Sequence, residues 1–384
     1  MQNTSKISST TITSLSDDVL TEILFRLPSL ASLARAALTC PRWRRLATSC
    51  DFLAGFGARH ASLPLLGCFF YADDGYFEVP VFQRARNLPD MDLAAVVRGG
   101  DFLLSSFFED DLWTFKDICQ GLLLFASDDE LAVFNPVSRR RTCVPLPNGE
   151  HDRETSVDCL LPAADAAFRV VSLERDEQER VRVHEYNSRM GEWRPQPWTP
   201  HGIINWSPDD SLRAMHAAGR IYWKHSNKLL CLETAPSGSV QVSHVALPPV
   251  PGLAEAAASY VVGDMEDGTC CLACVAMSRR LRSRTLQVWL RREDGGGSWE
   301  FGWETKFLSG YSLCAVNAGV VLFEDYRAYR LNELDELRFG GYPQTEASFF
   351  ASRGSEAYPY VACSTVLLGR LIQDDGDEAR APPG

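Results

Sequence analysis

From Ser14 to Gly57 apolar residues fall at helical spacing, and beyond Ala61 they fall in short runs broken by Gly, Pro, Asn and Asp. The first pattern predicts helices and the second predicts strands joined by tight turns. In "SLSDDVLTEILFRLP", Ser16 can cap a helix, Asp17 and Asp18 suit its positive end, and Pro28 stops it. Leu20, Ile23, Leu24 and Leu27 recur at i, i+3, i+4 and i+7 and form one apolar stripe, which Val19 widens. A second helix fits "SLASLARAALTC", with Leu30, Leu33, Ala34, Ala37 and Leu38 inward. Pro41 lacks a backbone N–H, which costs nothing at the first position of a helix, so "PRWRRLATS" can form a third. Three helices this short make a marginal core, which predicts that a partner covers part of their apolar surface.

The second region repeats itself loosely. "GLLLF" with "LAVFNPVSRRRTCVPLP", then "FRVVSLERDEQERVRVHEYNSRMGEW", "GRIYWKHSNKLLCLETAPSGSVQVSHVALP", "CCLACVAMSRRLRSRTLQVWLRREDGGGSWEFGW" and "NAGVVLFEDYRAYRLNELDELRF" each alternate apolar strands with polar turns. Turns placed at Asn135, Asn187, Glu233, Arg291 and Asn332 are separated by 52, 46, 58 and 41 residues. That period suits the four-stranded blades of a β-propeller, kelch-like in length. "LPLLGCFFYADDGYFEVPVF" and "AYPYVACSTVLLG" supply further strands, so six blades are expected, with seven as the alternative. Pairing the C-terminal strand with the first blade would close the ring and remove open edges. The whole reading is a small all-α unit followed by an all-β propeller. Its segments are a disordered tail at 1–13, a helical domain at 14–57, a propeller at 61–372 and a disordered acidic tail at 373–384.

Charge narrows the function. With 38 basic against 50 acidic residues the net charge is −12, which argues against a protein built chiefly to bind nucleic acid. Arg35, Arg42, Arg44 and Arg45 still form a local basic cluster, and a nucleic-acid regulator using that face is one alternative. The twelve cysteines have no framework spacing, and the polar N-terminus lacks the apolar core of a signal peptide. Reduced, mostly buried thiols in the cytoplasm or nucleus are therefore expected, with no membrane span.

Sites for chemistry are sparse. Cys271 and Cys274 stand as Cys-x-x-Cys, but a structural zinc needs about four ligands and positions three apart on a strand point to opposite faces, so no metal is expected. His60, His151, His184, His201, His216, His225 and His244 are dispersed and fit no hydrolase motif. "DGGGSW" lacks the Lys-Ser/Thr of a phosphate loop. Asp73-Asp74, Asp128-Asp129 and Asp209-Asp210 sit in predicted turns, although paired acids keep a propeller glycosidase open as a second alternative. Trp193, Trp223, Trp289, Trp299 and Trp303 are expected to pack between blades. Trp198 and Trp206 are expected nearer a rim.

The helical region resembles an F-box. The resemblance rests on Leu15, the Asp17-Asp18 pair, Val19, Leu20, Ile23, Leu24, Leu27, Pro28, Leu33, Cys40, Trp43 and Leu46, in the family's order and spacing. Ser16 replaces a usual proline, and Pro41 stands where Lys or Arg is common. The remainder looks like the propeller that follows F-boxes in a large plant family, through "CQGLLLF", "VFNPVSRRR" and "GRIYW". The resemblance implies a non-catalytic substrate receptor of a Skp–cullin–F-box ubiquitin ligase. Leu15, Val19, Leu20, Ile23, Leu24, Leu27, Pro28, Leu33, Cys40, Trp43 and Leu46 would dock a Skp-type adaptor, and through it a cullin-RING ligase. The β region would bind an unknown target protein, with no cofactor.

Overall fold

The computed structural model describes residues 15–49, 52–53, 55–56, 65–71, 80–85, 91–105, 113–147, 157–161, 167–175, 180–199, 213–225, 227–234, 240–251, 253, 259–278, 283–292, 297–306, 312–323, 328–331, 336–337, 339–340 and 356–361. The tails expected at 1–13 and 373–384, and the boundaries at 57, 61 and 372, lie outside these residues, as do His60, His151, His201, Trp206, Asp73-Asp74 and Asp209-Asp210.

Three helices form where the periodicity places them. Helix α1 spans Asp17–Phe25, with the Ser16 hydroxyl accepting from the Val19 N–H at 3.4 Å. Helix α2 spans Leu30–Thr39 and is capped by Ser29, which accepts from Ser32 N at 3.2 Å. Helix α3 spans Pro41–Ala47 with the proline in its first turn. Two arginines of α3 return to the start of α1. Arg42 reaches Asp17 Oδ1 and donates to the Leu15 carbonyl at 2.7 Å, and Arg45 approaches Asp17 Oδ2 at 3.4 Å. Part of the basic cluster therefore neutralises the acidic first turn of α1 instead of offering free positive charge.

The marginal helical core is completed by the chain itself. Phe52 stacks on Phe25 with ring centroids 4.4 Å apart, and Phe56 lies 5.9 Å beyond Phe52. A Cβ at Gly55 would come within 3.0 Å of the Phe25 ring, so a larger residue there would push this contact apart. Leu24, Leu33, Ala34 and Ala37 belong to one apolar cluster that runs through these phenylalanines to Leu66 and Phe69, and on to Phe115, Phe125 and Phe134. Removing that surface from water is worth roughly 25 cal/mol per Å².

Among the described residues the β region forms six four-stranded antiparallel sheets. Sheet II takes Thr114–Cys119, Leu122–Ala126, Glu130–Asn135 and Arg140–Pro145 in chain order. Sheet III takes Val157–Leu161, Arg169–Arg175, Val181–Asn187 and Glu192–Pro195. Sheet IV takes Met215–Ala217, Arg220–His225, Lys228–Thr234 and Val240–Ala246. Sheet V takes Tyr260–Asp264, Cys270–Ser278, Ser283–Arg291 and Trp299–Lys306. Sheet VI takes Leu313–Asn317, Val320–Phe323, Ala328–Arg330 and Glu336–Leu337. Sheet I joins both ends of the region, because the late strand Glu356–Val361 pairs antiparallel with Leu65–Tyr71, which pairs with Val81–Ala85 and then Phe339–Gly340. Apolar clusters link II to III, III to IV, IV through V to VI, and VI to I.

The repeated units of the sequence are hairpins of these sheets. Gln120-Gly121, Ala218-Gly219 and Ala318-Gly319 are two-residue turns between first and second strands, with φ of 50° and 78°, 48° and 72°, and 47° and 72°. Positive φ at both positions is the type I′ geometry that matches strand twist, and glycine takes the second place without strain. Among the described residues, one helix departs from the strand expectation beyond residue 61. Helix α4, Met91–Gly99, buries Leu93 and Val96 in the cluster shared by helices and sheets. Its i, i+3 apolar pair is too short a stretch to stand out from the surrounding runs.

Indoles fasten neighbouring sheets. Trp193 Nε1 donates to the Pro145 carbonyl at 2.6 Å, from sheet III to sheet II, and Trp299 Nε1 donates to the Ala246 carbonyl at 2.8 Å, from sheet V to sheet IV. Trp223 is fully buried among residues of sheets III and IV. Trp289 meets Phe301 edge-on at 5.4 Å, and it packs with Trp303 on the cluster of sheets IV to VI. Trp198 lies under the guanidinium groups of Arg180 and Arg182, at 5.3 and 5.2 Å.

A buried carboxylate, Asp117, and a half-buried one, Asp264, stitch the first strands. Asp117 of sheet II accepts from Leu160 N of sheet III at 2.8 Å and meets His216 Nε2 of sheet IV at 2.9 Å. Asp264 of sheet V accepts from Ala218 N of sheet IV at 2.6 Å, while its backbone carbonyl accepts from Gly319 N of sheet VI at 2.8 Å. Burial pushes the Asp264 carboxyl up to about 6, against the Ala218 hydrogen bond and the His216 charge. The native state thus holds this proton to higher pH than the unfolded chain, and stability falls as pH rises from the unfolded value towards 6. Asp264→Asn keeps an acceptor and removes the charge. It should gain about 1–3 kcal/mol at pH 7.5 in denaturant unfolding, with the gain shrinking by pH 4.5. A variant no more stable than the parent at pH 7.5 would contradict this.

Candidate adaptor-docking face

An α-helix places residues four apart on one strip and adjacent residues about 100° apart. In α1 this separates the apolar positions into two strips. Leu20 and Leu24 point inward and are 0% and 1% exposed, whereas Val19 and Ile23 are 45% and 41% exposed. Both outer residues line an open groove of about 340 Å³ with Asp18, Glu22 and Arg26. Glu22 and Arg26 pair at 2.9 Å across one turn, a contact worth a few tenths of a kcal/mol at this exposure. The face is therefore an apolar centre with a charged rim, on a helix whose inner strip is already satisfied.

The remaining predicted contact residues divide in the same way. Leu33 is fully buried, while Leu15, Leu27, Cys40, Trp43 and Leu46 are half-buried. Leu27, Trp43 and Leu46 pack against the cluster shared with the sheets, and Pro28 is exposed after α1. Cys40 is the residue before α3 and gives it no side-chain cap. Leu20 and Leu24, central to the stripe read from the sequence, thus belong to the interior, and Trp43 spends much of its ring on that interior too. Asp18 stands out in the sequence only through its place in the first turn, and Glu22 and Arg26 do not stand out at all. Their i, i+4 spacing along the outer strip was the available signal.

Elsewhere the dispersed histidines find partners. His184 Nε2 lies 2.7 Å from Glu174, His225 and His244 stack at 5.3 Å, and His216 joins Asp117 across 99 residues of chain. Burial lowers the His244 pKa, and the charges of His225 and Lys228 push it the same way. Cys271 and Cys274 are buried on one strand, and among the described residues no three His, Cys, Asp or Glu side chains form a metal-holding group. Asp117 is 1% exposed with three N–H donors on its carboxylate, so it is closed to a sugar. Among the described residues no helix is long and apolar enough to cross a membrane.

Residues 12–54 match the F-box domain family. The helical unit is an F-box domain. No curated protein matches the chain. Among solved structures, KlHsv2 with loop 6CD replaced by a Gly-Ser linker is 8% identical, with 60% of this chain and 83% of that chain covered at a TM-score of 0.36. A putative 6-phosphogluconolactonase from Bacteroides fragilis is 12% identical, with 57% and 65% covered at 0.36. Luciferin-regenerating enzyme is 8% identical, with 58% and 73% covered at 0.31. Likeness this shallow transfers neither a fold nor an activity.

The two strips of the F-box helix should respond differently to charge. Leu20→Asp buries a carboxylate without a partner and should cost several kcal/mol, seen as a large drop in the denaturation midpoint. The pair Val19→Glu and Ile23→Lys puts an acid near the helix start, a base near its end, and the two at i, i+4. That double variant should stay within about 0.5 kcal/mol of the parent. Equal destabilisation by the two designs would contradict the division of α1.

Proposed function

We propose that this protein is the substrate-recognition subunit of a Skp–cullin–F-box ubiquitin ligase, acting without catalytic chemistry of its own. The observation that carries the reading is the exposed Val19–Ile23 strip on an F-box helix whose inner face is already buried. A helix presenting apolar anchors at i and i+4 suits a groove on a partner. The Skp-type adaptor occupies that face, and a cullin-RING ligase follows through it. Val19 and Ile23 make the contact, with Pro28 and the exposed edges of Leu15, Leu27, Cys40, Trp43 and Leu46 around them. Leu20, Leu24 and Leu33 support it from inside.

The β region, over 61–372, is a six-bladed propeller closed by Glu356–Val361 and kelch-like in blade length, as in the plant family it resembles. Six consecutive sheets, apolar clusters between neighbours and the pairing of the late strand with Leu65–Tyr71 support this architecture. Loops of this body bind the protein to be ubiquitylated, in the cytoplasm or nucleus.

Co-expression with a Skp-type adaptor should give a 1:1 complex on a sizing column, and the Val19→Glu, Ile23→Lys variant should elute free while keeping its own melting temperature. Full binding by that folded variant would move the interface elsewhere. No complex with the parent chain would overturn the proposed role.

A further inference from the structure

Lys224, one residue before the end of the second strand of sheet IV, sets Nζ 4.5 Å from the centre of the Tyr260 ring, and Tyr260 opens the first strand of sheet V. In an antiparallel sheet the first strand starts beside the end of the second, so the hairpin ends of sheets IV and V are level. Basic side chains gather there. Lys228 opens the third strand of sheet IV opposite His225, and His225 stacks on His244 of the fourth strand at 5.3 Å. On sheet V, Arg284 lies opposite Met277, and Lys306 closes the fourth strand opposite Thr285. Lys228, His244, Arg284 and Lys306 are exposed, and Met277 is 66% exposed. Among the described residues at this end of the two sheets the acid is Glu304, half-buried and turned to Gln287. By sequence, three of the four residues between Ser278 and Ser283 are arginines; they lie outside the described residues, and the charge of this face does not rest on them.

Elsewhere on the sheets arginines meet carboxylates: Arg141 with Glu130, Arg169 with Glu185, Arg220 with Glu233 and Arg292 with Glu300. Lys228, Arg284 and Lys306 have no ion pair among the described residues, in a chain with 50 acidic and 38 basic residues. His244 registers the resulting field, since neighbouring positive charge disfavours its own. We propose that this end of sheets IV and V is the docking surface for a carboxylate-rich segment of the target protein, an inference that rests on the receptor role proposed above. Asp and Glu side chains of the segment meet Lys228, Arg284 and Lys306, and an apolar side chain among them lies on Met277. Charge complementarity of this kind speeds encounter and rejects wrong partners, and salt weakens it. A short protein segment suits the face better than a nucleic acid, because the acidic remainder of the chain repels a long polyanion.

A labelled Glu-rich peptide with a central leucine, titrated with the full chain at low ionic strength and read by fluorescence anisotropy, should bind and be released as salt rises. The same peptide with glutamine for glutamate should not bind. Lys228→Glu combined with Arg284→Glu should weaken binding by about tenfold, as two exposed ion pairs are replaced by repulsion. Arg194→Glu, at an exposed arginine on sheet III, should leave it unchanged. In NMR titrations the His244 ring should protonate at higher pH in the complex than in the free chain. Undiminished binding by the double variant, or an equal loss in Arg194→Glu, overturns the proposal. So does tighter binding of an equally charged single-stranded DNA, which gives the face to nucleic acid. Tighter peptide binding by a chain ending at Ile372 overturns it too, giving the face to the chain's own acidic tail. A Skp-type adaptor is tested in parallel. Adaptor binding without peptide binding overturns this docking surface alone, whereas peptide binding without adaptor binding overturns the ligase role.

Discussion

The contact of Phe25 with Phe52 and the apolar cluster continuing from it set the terms for the rest of the molecule. Three short helices bury little on their own, and the energy that holds them comes from the surface they share with sheets I and II. Leu24, Leu33 and Ala37 at one end and Phe115, Phe125 and Phe134 at the other belong to one continuous interior. A change at Phe52 is therefore felt in both the helical unit and the sheets. It also means that the outer strip of α1 is left free for another molecule instead of being used for folding.

The same arrangement gives the proposed function its geometry. Arg42 and Arg45 hold the acidic start of α1, and Phe52 and Phe56 hold its inner side. Val19 and Ile23 are thus presented from a helix fixed at both its end and its back. A ligase subunit that works by proximity needs its adaptor face and its target-binding body in a constant relation, and a shared core supplies one. Within the body, Asp117 and Asp264 link successive first strands, with indoles from Trp193 and Trp299 fastening outer strands to the sheet before.

Local features were the legible ones. Ser16, Pro28 and Pro41 mark the helices through backbone chemistry, and the glycine turns and apolar runs mark the hairpins, because each depends on neighbours within a few residues. The division of the α1 stripe is not legible, since Leu20 and Ile23 are both large aliphatic side chains and only the packing of the folded chain leaves one at 0% and the other at 41% exposure. Asp117 and His216 are 99 residues apart, and nothing near either of them announces the other. The arginines of "PRWRRL" read as a basic face because their partner, Asp17, belongs to another helix.

Hydrogen–deuterium exchange of the full chain, with and without a Skp-type adaptor, tests the central claim most directly. Added protection is expected along α1, over residues 17–25, with the strands of sheets II to VI unchanged. Protection confined to the sheets, with α1 exchanging as in the free protein, would contradict it.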